Sequence, residues 1–182
     1  MKKYRLTEET TKVGNRTLYR IQALRDFGNV TKGDIGGYIE SEKNLSQDGN
    51  AWVSDDARVS GDARVSGDAW VYGDAWVSGN ARVYGNAWVY GDARVSGNAQ
   101  VSGDADIKTT GDICSMSGFG SEYRTTTAFR TKNGDVHVSC GCFFGSLEEF
   151  CQRVESTHGN NLYGREYKKM IEMLKIHFEV EP

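Results

Sequence analysis

Proline is nearly absent from this chain of 182 residues, which also lacks long apolar runs and an excess of one charge sign. Proline occurs once, as the final residue, and the formal net charge is only −3. No apolar run reaches the roughly 18 residues that a membrane span needs, and no apolar segment follows the basic start as in a signal peptide. Near-balanced charge gives no strong attraction to duplex nucleic acid. We therefore expect a cytoplasmic protein without a membrane or duplex nucleic-acid partner.

Cysteine is scarce and confined to the last part of the chain, at Cys114, Cys140, Cys142 and Cys151. Without an export signal, these thiols are expected to stay reduced. Two arrangements are conceivable: a zinc site that adds His137 and His158, and a nucleophile pair of Cys142 with His158. However, the chain has no Cys-x-x-Cys pair and no catalytic signature around Cys142. Buried or idle thiols are the better interpretation, and we predict no metal and no cofactor.

Glycine, by contrast, is abundant, with 22 residues, most of them in one six-residue phrase. From Asn50 to Ser115 the chain repeats Ala-x-Val-x-Gly-(Asp/Asn) eleven times, with nearly all variation at the two x positions. Ala and Val lie two residues apart and therefore point to the same side of an extended strand. Gly with Asp or Asn makes a corner, because Gly adopts φ > 0 and Asp or Asn hydrogen-bonds its own backbone.

This pattern predicts that each phrase forms one side of a triangular prism and that three phrases complete a coil. Successive coils stack as parallel strands about 4.8 Å apart. The aliphatic positions are Val53, Val59, Val65, Val71, Val77, Val83, Val89, Val95, Val101, Ile107 and Ile113, and the small ones run from Ala57 to Ala105. The pattern resembles that of the hexapeptide-repeat family of left-handed β-helices. The resemblance implies a mainly β fold, a left-handed parallel β-helix of about five coils.

Residues one coil apart should form columns on the three outer faces of the prism. Face one carries Trp52, Trp70 and Trp88 in one column and Ser54, Tyr72 and Tyr90 in the other. Face two carries Arg58, Trp76 and Arg94, with Ser60, Ser78 and Ser96 beside them. Face three carries Arg64, Arg82 and Gln100, with Ser66, Tyr84 and Ser102 beside them. Three of the four tryptophans are thus predicted to form one ladder.

The aromatic ladder of face one is too large an apolar patch to remain wet on a soluble monomer. We expect it to be buried in a subunit interface or beneath the C-terminal region. The residues expected there are Trp52, Trp70, Trp88, Tyr72 and Tyr90. Two alternatives stay open: a stacking platform for planar ligands, and a ladder that only stabilises the strands. On face two, Trp76 between Arg58 and Arg94 indicates cation–π support, with ligand binding as the alternative.

Histidine is absent from the repeats and occurs only at His137, His158 and His177. The repeats resemble those of acyltransferases and carbonic anhydrases with this fold, which place histidines between or beside the coils. The resemblance therefore carries no catalytic base and no metal triad onto this chain. We predict that the protein is not an enzyme.

Residues 1–49 fall outside the repeat register and are predicted to cap the first coil. Lys3–Thr7 and Thr17–Leu24 alternate like strands around Val13-Gly-Asn-Arg16, which indicates a hairpin. An uncovered end would pair with another chain. The run ALRDFGNVTKGDIGGYIESEKNLSQDGNAWV that follows resembles the start of YdcK-type hexapeptide-repeat proteins of bacteria and phages. That resemblance covers roughly residues 1–105, and it implies little chemistry, because the family's transferase label comes from its fold.

After Ser115 the pattern changes, so we predict one domain over residues 1–115 and a second over 116–182. Tyr123–Thr131 and Val136–Cys140 flank a hairpin turn at Lys132-Asn-Gly-Asp135. Ser146-Leu-Glu-Glu149 is a capping box that opens a helix ending at Gly159, and a second helix runs from about Gly164 to Phe178. The predicted ββαα module has the motifs GCF, GSLEEF and THGNNLYGREY. They resemble those of a small domain common in phage proteins.

Two loops of this second domain offer candidate ligand-binding groups. Ser121, Tyr123 and Arg124 belong to a glycine-rich loop whose backbone N–H groups and guanidinium could bind a phosphate. His158, Asn160 and Asn161 lie between the two helices, where they could line a pocket. An ordinary loop and an ordinary helix–helix turn are the alternatives.

These features favour a non-catalytic binding or scaffold protein that is phage-encoded and acts on a host component in the host cytoplasm. The resemblance implies a homo-oligomer, and a trimer is the usual form of this fold. Two other functions stay open. One is a phage protein that sequesters a small nucleotide, such as a host immune signal, between the β-helix and the C-terminal module. The other is an acyl- or nucleotidyltransferase.

Overall fold

A computed structural model describes residues 2–180 of the chain. An N-terminal segment contains β1 Tyr4–Val13, β2 Arg16–Ala23 and β3 Ile35–Ile39. The repeats form β4 Trp52–Val53, β5 Arg58–Val59, β6 Arg64–Val65, β7 Trp70–Val71, β8 Trp76–Val77, β9 Arg82–Val83, β10 Trp88–Val89, β11 Arg94–Val95, β12 Gln100–Val101 and β13 Asp106–Ile107. The C-terminal part, called the tail, holds β14 Ile113–Phe119, β15 Arg124–Arg130, β16 Val136–Cys140, β17 Phe143–Ser146, α1 Leu147–His158 and α2 Leu162–His177. Short 3-10 helices cover Glu42–Asn44 and Thr110–Asp112.

The repeats form a β-solenoid of three parallel sheets, which confirms the prism. One sheet has the order β13-β10-β7-β4, a second β12-β9-β6, and a third continues from β3 through β5 and β8 to β11. The register places Trp70 opposite Trp88 and Val71 opposite Val89, one coil apart. The solenoid has about four turns, against the five expected. One reason is that Ile113, predicted to be the eleventh aliphatic position, instead starts β14 of the tail.

The interior of the prism is filled by the two fixed positions of the phrase. Every repeat alanine from Ala57 to Ala105 and every repeat valine from Val53 to Val101 is at most 1% exposed. Backbone hydrogen bonds join the coils, for example from Trp70 N–H to the Ala87 carbonyl at 2.9 Å. In the interior, each alanine therefore packs against alanines of the neighbouring coils and each valine against valines, at the close packing typical of protein cores.

The N-terminal segment covers the first coil, as expected. β1 and β2 form an antiparallel hairpin, β2 pairs with β3, and β3 joins β5 in parallel. Phe27 and Val30 close a tight turn with mutual backbone hydrogen bonds of 3.0 and 2.8 Å. That turn lays the Phe27 ring against Trp52, with ring centroids 5.4 Å apart. The apolar end of the solenoid is thereby removed from water.

Lys3 is fully buried in this cap, which makes stability dependent on pH. Its Nζ donates to the Ala51 carbonyl at 2.8 Å. Burial, and then the charge of Arg25, lower the pKa of Lys3 from 10.5 to about 8. Between these two values the unfolded chain binds more protons than the folded one, so this group makes stability rise with pH. Below pH 8 the cost of burying the charge is fully present.

Lys3→Met should remove this pH dependence. Between pH 7.5 and 10.5, the free energy of unfolding of the wild type should rise by about 2–3 kcal/mol relative to that of Lys3→Met. Urea unfolding of both proteins at several pH values measures the difference. Other titrating groups, such as the buried tyrosines, cancel in it. Lys12→Met, at an exposed position of β1, is the control, and its free energy of unfolding should change with pH in parallel with that of the wild type. A constant gap between wild type and Lys3→Met would contradict a buried ammonium group.

The tail contains a four-stranded antiparallel sheet in the order β14-β15-β16-β17, with both helices packed against it. The predicted ββαα arrangement was therefore incomplete, because it missed β14 and β17. β14 was hidden by its repeat-like start at Ile113, and β17 has only four residues. The capping box is confirmed: Glu149 N–H donates to Ser146 Oγ at 3.1 Å. Within residues 2–180 no helix has the length and apolarity to cross a membrane.

The tail covers the other end of its own prism. Phe129 of β15 is fully buried and packs with the apolar interior of the repeats. Gln100 N–H donates to Thr127 Oγ1 at 3.1 Å, and Lys132 N–H donates to the Asp104 carbonyl at 3.0 Å. Both ends of the solenoid are therefore closed by the same chain, and its faces remain for binding.

Candidate ligand-binding groove

The face-one columns lie where the sequence predicts them, but their exposure is graded. Trp52, Trp70 and Trp88 stand opposite one another on successive coils. Trp52 is 2% exposed beneath Phe27 and Tyr4, Trp70 is half-buried, and Trp88 is 42% exposed. Trp52 keeps its place in the outer column, but the Phe27 turn folds over it and removes it from the exposed surface. The segment that covers Trp52 is N-terminal rather than C-terminal.

Below Trp52 the face opens into a cavity of about 380 Å³, here called the groove. It is lined by Asn29, Ser54, Asp55, Trp70, Tyr72 and Trp88. The three aromatic side chains provide flat apolar walls. The other three residues place a carboxylate, a hydroxyl and an amide at the edge of the same cavity. Apolar walls with a few polar groups are typical of small-ligand sites.

Tyr72 and Tyr90 form a stack beside the tryptophan column. Their ring centroids are 4.8 Å apart and their planes differ by 5°. Burial raises the pKa of both phenols, and the Asp106 carboxylate raises that of Tyr90 further. Both phenols therefore stay neutral near pH 7, and Tyr72 adds its ring to the lining of the groove.

Asp55 occupies a corner where the next eight phrases of the prism have glycine. Its φ is 54°, a left-handed conformation that costs a non-glycine residue about 1 kcal/mol or more. Its Oδ2 accepts a hydrogen bond from Gly73 N–H at 3.0 Å, which fixes the carboxylate at the groove. Sequence reasoning missed Asp55, although the replacement of a corner glycine by aspartate was a visible signal. Asn29 was missed too, because only the Phe27 turn brings it to the groove.

Two charged side chains lie near Trp88. The Lys132 ammonium group, from the tail, sits 4.2 Å from the centroid of the indole. Asp106 stands opposite Trp88 on the next coil. Its Oδ1 is buried without a hydrogen-bond partner among residues 2–180. Lys132 therefore holds the Trp88 indole by a cation–π contact.

Of the face-two candidates, Trp76 and Arg94 have partners within the protein. The Arg94 guanidinium lies 5.9 Å from the Trp76 ring, and Trp76 Nε1–H donates to Ser60 Oγ at 3.4 Å. Arg58 stands between Tyr38 and Trp76, with its Nε buried and unpartnered within residues 2–180. These contacts agree with the cation–π support expected for this face.

The candidates of the first tail loop lie away from the groove. Tyr123 is 71% exposed with φ of 50°, and Ser121 is also exposed. The Arg124 guanidinium is 3.9 Å from the Glu122 carboxylate, and both groups are open to solvent. Gly120 N–H, which sequence reasoning offered to a phosphate, donates to Glu166 Oε2 at 2.9 Å. This backbone N–H is therefore already bound to a carboxylate instead of being free for a phosphate.

The second group of tail candidates forms a helix–helix turn. The Asn161 side chain caps α2 by accepting Gly164 N–H at 2.9 Å, and Asn160 accepts the Lys168 ammonium at 2.8 Å. The His158 ring stacks on Tyr167 with centroids 5.6 Å apart. Burial raises the pKa of Tyr167 to about 12. Each of these side chains has a partner within the tail, as expected for an ordinary helix–helix turn.

The thiols do not form a site with the histidines. Burial raises the pKa of Cys114 and Cys151, which makes both poor nucleophiles near neutral pH. Cys142 is exposed and His158 stacks on Tyr167 instead. Among residues 2–180 no three His, Cys, Asp or Glu side chains are grouped to hold a metal ion.

The repeats match the model of a known protein family. The family model described as the YdcK β-solenoid repeat matches residues 57–73, 75–91 and 87–103. The repeats are therefore similar to those of YdcK-type β-solenoids. The matched segments lie within the three parallel sheets, and each of them includes the Trp70 or the Trp88 strand of the groove. The N-terminal cap and the tail lie outside the match.

A curated relative carries a functional name. The Escherichia coli (strain K12) protein named "Uncharacterized acetyltransferase YdcK" is 40% identical over 63 residues. The matched stretch covers 30% of this chain and only 19% of that protein. The prediction that the chain is not an enzyme is contradicted by this name. Its reasoning was too broad, because repeats without histidine exclude only a histidine-based site within the repeats.

Proposed function

We propose that the protein binds a small ligand with a planar, amino-bearing ring in the groove of face one. The half-exposed Trp88 carries this proposal, because it lines one cavity with Trp70, Tyr72 and the strained Asp55. Trp88 contacts Lys132 of the tail, yet 42% of the residue stays exposed beside the groove. The two ends of the prism, where burial would stabilise the fold, are already covered.

Ring stacking supplies affinity for the ligand, and hydrogen bonding supplies specificity. The stack of a base on an aromatic side chain contributes about 1–3 kcal/mol and tolerates any flat ring. Specificity then comes from the polar lining of Asp55, Ser54 and Asn29. A carboxylate accepts hydrogen bonds only, so it favours a ring that donates through an amino group. Adenine has both the flat surface and the exocyclic amine, which makes adenosine a suitable probe.

Acetyl transfer is the second candidate function, favoured by the name of the E. coli relative. Coenzyme A, the common acetyl carrier, ends in an adenine nucleotide, so the same groove would hold the donor. The nucleotide-sequestering function draws on the same recognition and differs in its outcome: the ligand leaves unchanged. The phage origin and the trimer stay predictions.

Thermal-shift measurements with adenosine and acetyl-coenzyme A test the groove. Ligand should raise the melting temperature of the wild type, following RT ln(1 + [L]/Kd). Trp88→Ser should reduce the shift strongly, because it removes one stacking wall and about 1–3 kcal/mol of binding. Trp76→Ser is the matched control, since Trp76 has the same place in its phrase on another face. It should keep the wild-type shift.

The same variants separate the remaining outcomes. No shift with adenosine, or an equal loss in Trp76→Ser and Trp88→Ser, would contradict the proposal. Light scattering that shows a smaller mass for Trp88→Ser would assign the groove to a second copy of the chain instead. Release of free thiol from acetyl-coenzyme A in the presence of amines would indicate transfer, whereas recovery of intact ligand would indicate sequestration.

A further inference from the structure

Face three holds two arginines directly one above the other. β6 and β9 pair in parallel with Arg64 opposite Arg82, on strands about 4.8 Å apart. On face two, by contrast, Arg58 and Arg94 both stand opposite Trp76, which keeps them apart. Like charges directly opposite each other destabilise a sheet. The pair on face three is therefore costly unless something between the guanidinium groups balances the charge.

Within the described part of the chain, no carboxylate pairs directly with either arginine. Within residues 2–180 neither Arg64 nor Arg82 forms a salt bridge. Asp62, the acidic residue nearest in sequence to Arg64, is bound by Lys43 at 2.8 Å, and Lys43 and Arg16 lower the pKa of its carboxyl more than Arg64 does. The neighbours at the two ends of the column are the neutral Asn44 and Gln100. The Asn44 side-chain amide donates to the Gly61 and Ala63 carbonyls and adds no charge to the column.

The two guanidinium groups line one cavity of about 310 Å³. Its lining residues are Arg64, Ser66, Arg82, Tyr84 and Gln100. Every one of these side chains carries a hydrogen-bond donor, and none carries a carboxylate. Tyr84 is 37% exposed, so its hydroxyl is open to a ligand. A concave surface that offers two positive charges and three further donor groups has the chemistry of an anion site.

We propose that face three binds an oxyanion of the phosphate type between Arg64 and Arg82. The planar fork of a guanidinium group matches two oxygens of a phosphate, and forks on adjacent coils can hold different oxygens of one group. This site lies on a different face from the groove and does not depend on the function proposed there. Face three has one aromatic side chain instead of a column, so it recognises charge rather than a flat ring.

Isothermal titration with pyrophosphate, at an ionic strength kept constant with sodium chloride, tests this site. The wild type should bind, and Arg64→Gln and Arg82→Gln should each bind about tenfold more weakly or worse, because each loses charge-assisted hydrogen bonds. Arg94→Gln is the control: it removes the same charge at the same phrase position on face two. It should bind like the wild type.

Further arms distinguish the source of the anion. Tighter binding of adenosine diphosphate than of pyrophosphate would assign a phosphate ester, and equal binding would assign free phosphate groups. The affinity for adenosine alone should be the same in Arg82→Gln as in the wild type.

Without ligand in low salt, Arg82→Gln should melt about 1–3 °C higher than the wild type, because it relieves the repulsion. This gain in melting temperature should vanish in high salt. Equal pyrophosphate affinity in the wild type, Arg64→Gln and Arg82→Gln, or a lower melting temperature for Arg82→Gln, would overturn the proposal.

Discussion

Phe129→Ala should lower the free energy of unfolding by about 3–5 kcal/mol, because it leaves a large cavity at the junction of prism and tail. Phe129 is fully buried and belongs to the apolar cluster that runs through the repeats. It lies on β15, opposite Ile113 of β14 and His137 of β16. One ring thus closes the end of the solenoid and joins it to the tail sheet. Urea unfolding followed by circular dichroism measures the loss.

Phe144→Ala is the matched control for this effect. Phe144 belongs to the same sheet and its ring lies 6.5 Å from that of Phe129, but it is 47% exposed. Its removal should cost about 1 kcal/mol, in proportion to the smaller area that it buries. Similar losses for the two variants would mean that Phe129 does not plug the prism, and that the tail is attached by its surface alone.

Gly85→Ala should destabilise the protein by about 2–4 kcal/mol, although it adds a single methyl group. Gly85 has φ of +71°, which an alanine adopts only with strain. A Cβ at this corner would also come within 2.8 Å of the Gly103 nitrogen in the next coil. Backbone atoms held by the ladder cannot move aside without breaking hydrogen bonds between coils. Two costs therefore add at this position.

Gly97→Ala separates the two costs. Gly97 is a corner of the same phrase with φ of +66°, but a Cβ there would meet nothing within 4 Å. It should therefore cost only the strain of the left-handed backbone, about 1–2 kcal/mol. Thermal or urea unfolding of both variants gives the comparison. If Gly97→Ala is as damaging as Gly85→Ala, the close approach of stacked corners is not what fixes glycine in the phrase.

The columns of the prism could be predicted from sequence because each position of the phrase has one physical task. Alanine and valine two residues apart can share only one face of a strand, and the corner glycine sets where the next side begins. The register of Trp52, Trp70 and Trp88 follows directly from that spacing. The capping box at Ser146 was predictable for the same reason, since it is a local contact over three residues.

The groove could not be predicted as a site, because its shape depends on contacts distant in sequence. Phe27 covers Trp52 and brings Asn29 to the face, and nothing in the local sequence around either residue indicates this. Lys132 reaches Trp88 from the tail across 44 positions of the chain. The tail sheet was misread where Ile113 continued the periodicity of the repeats but paired with Phe129 instead. Periodicity alone does not show where a solenoid stops.

Binding of a planar ring in the groove beside Trp70 and Trp88 is best measured through the four indole N–H groups of the protein. In a two-dimensional nitrogen–proton NMR spectrum, each tryptophan gives one indole signal, which single substitutions assign. Titration with adenosine should shift the signals of Trp70 and Trp88. It should leave those of Trp52, beneath Phe27, and Trp76, on face two, in place. Shifts confined to Trp76, or no shift at Trp70 and Trp88 at saturating adenosine, would contradict the account.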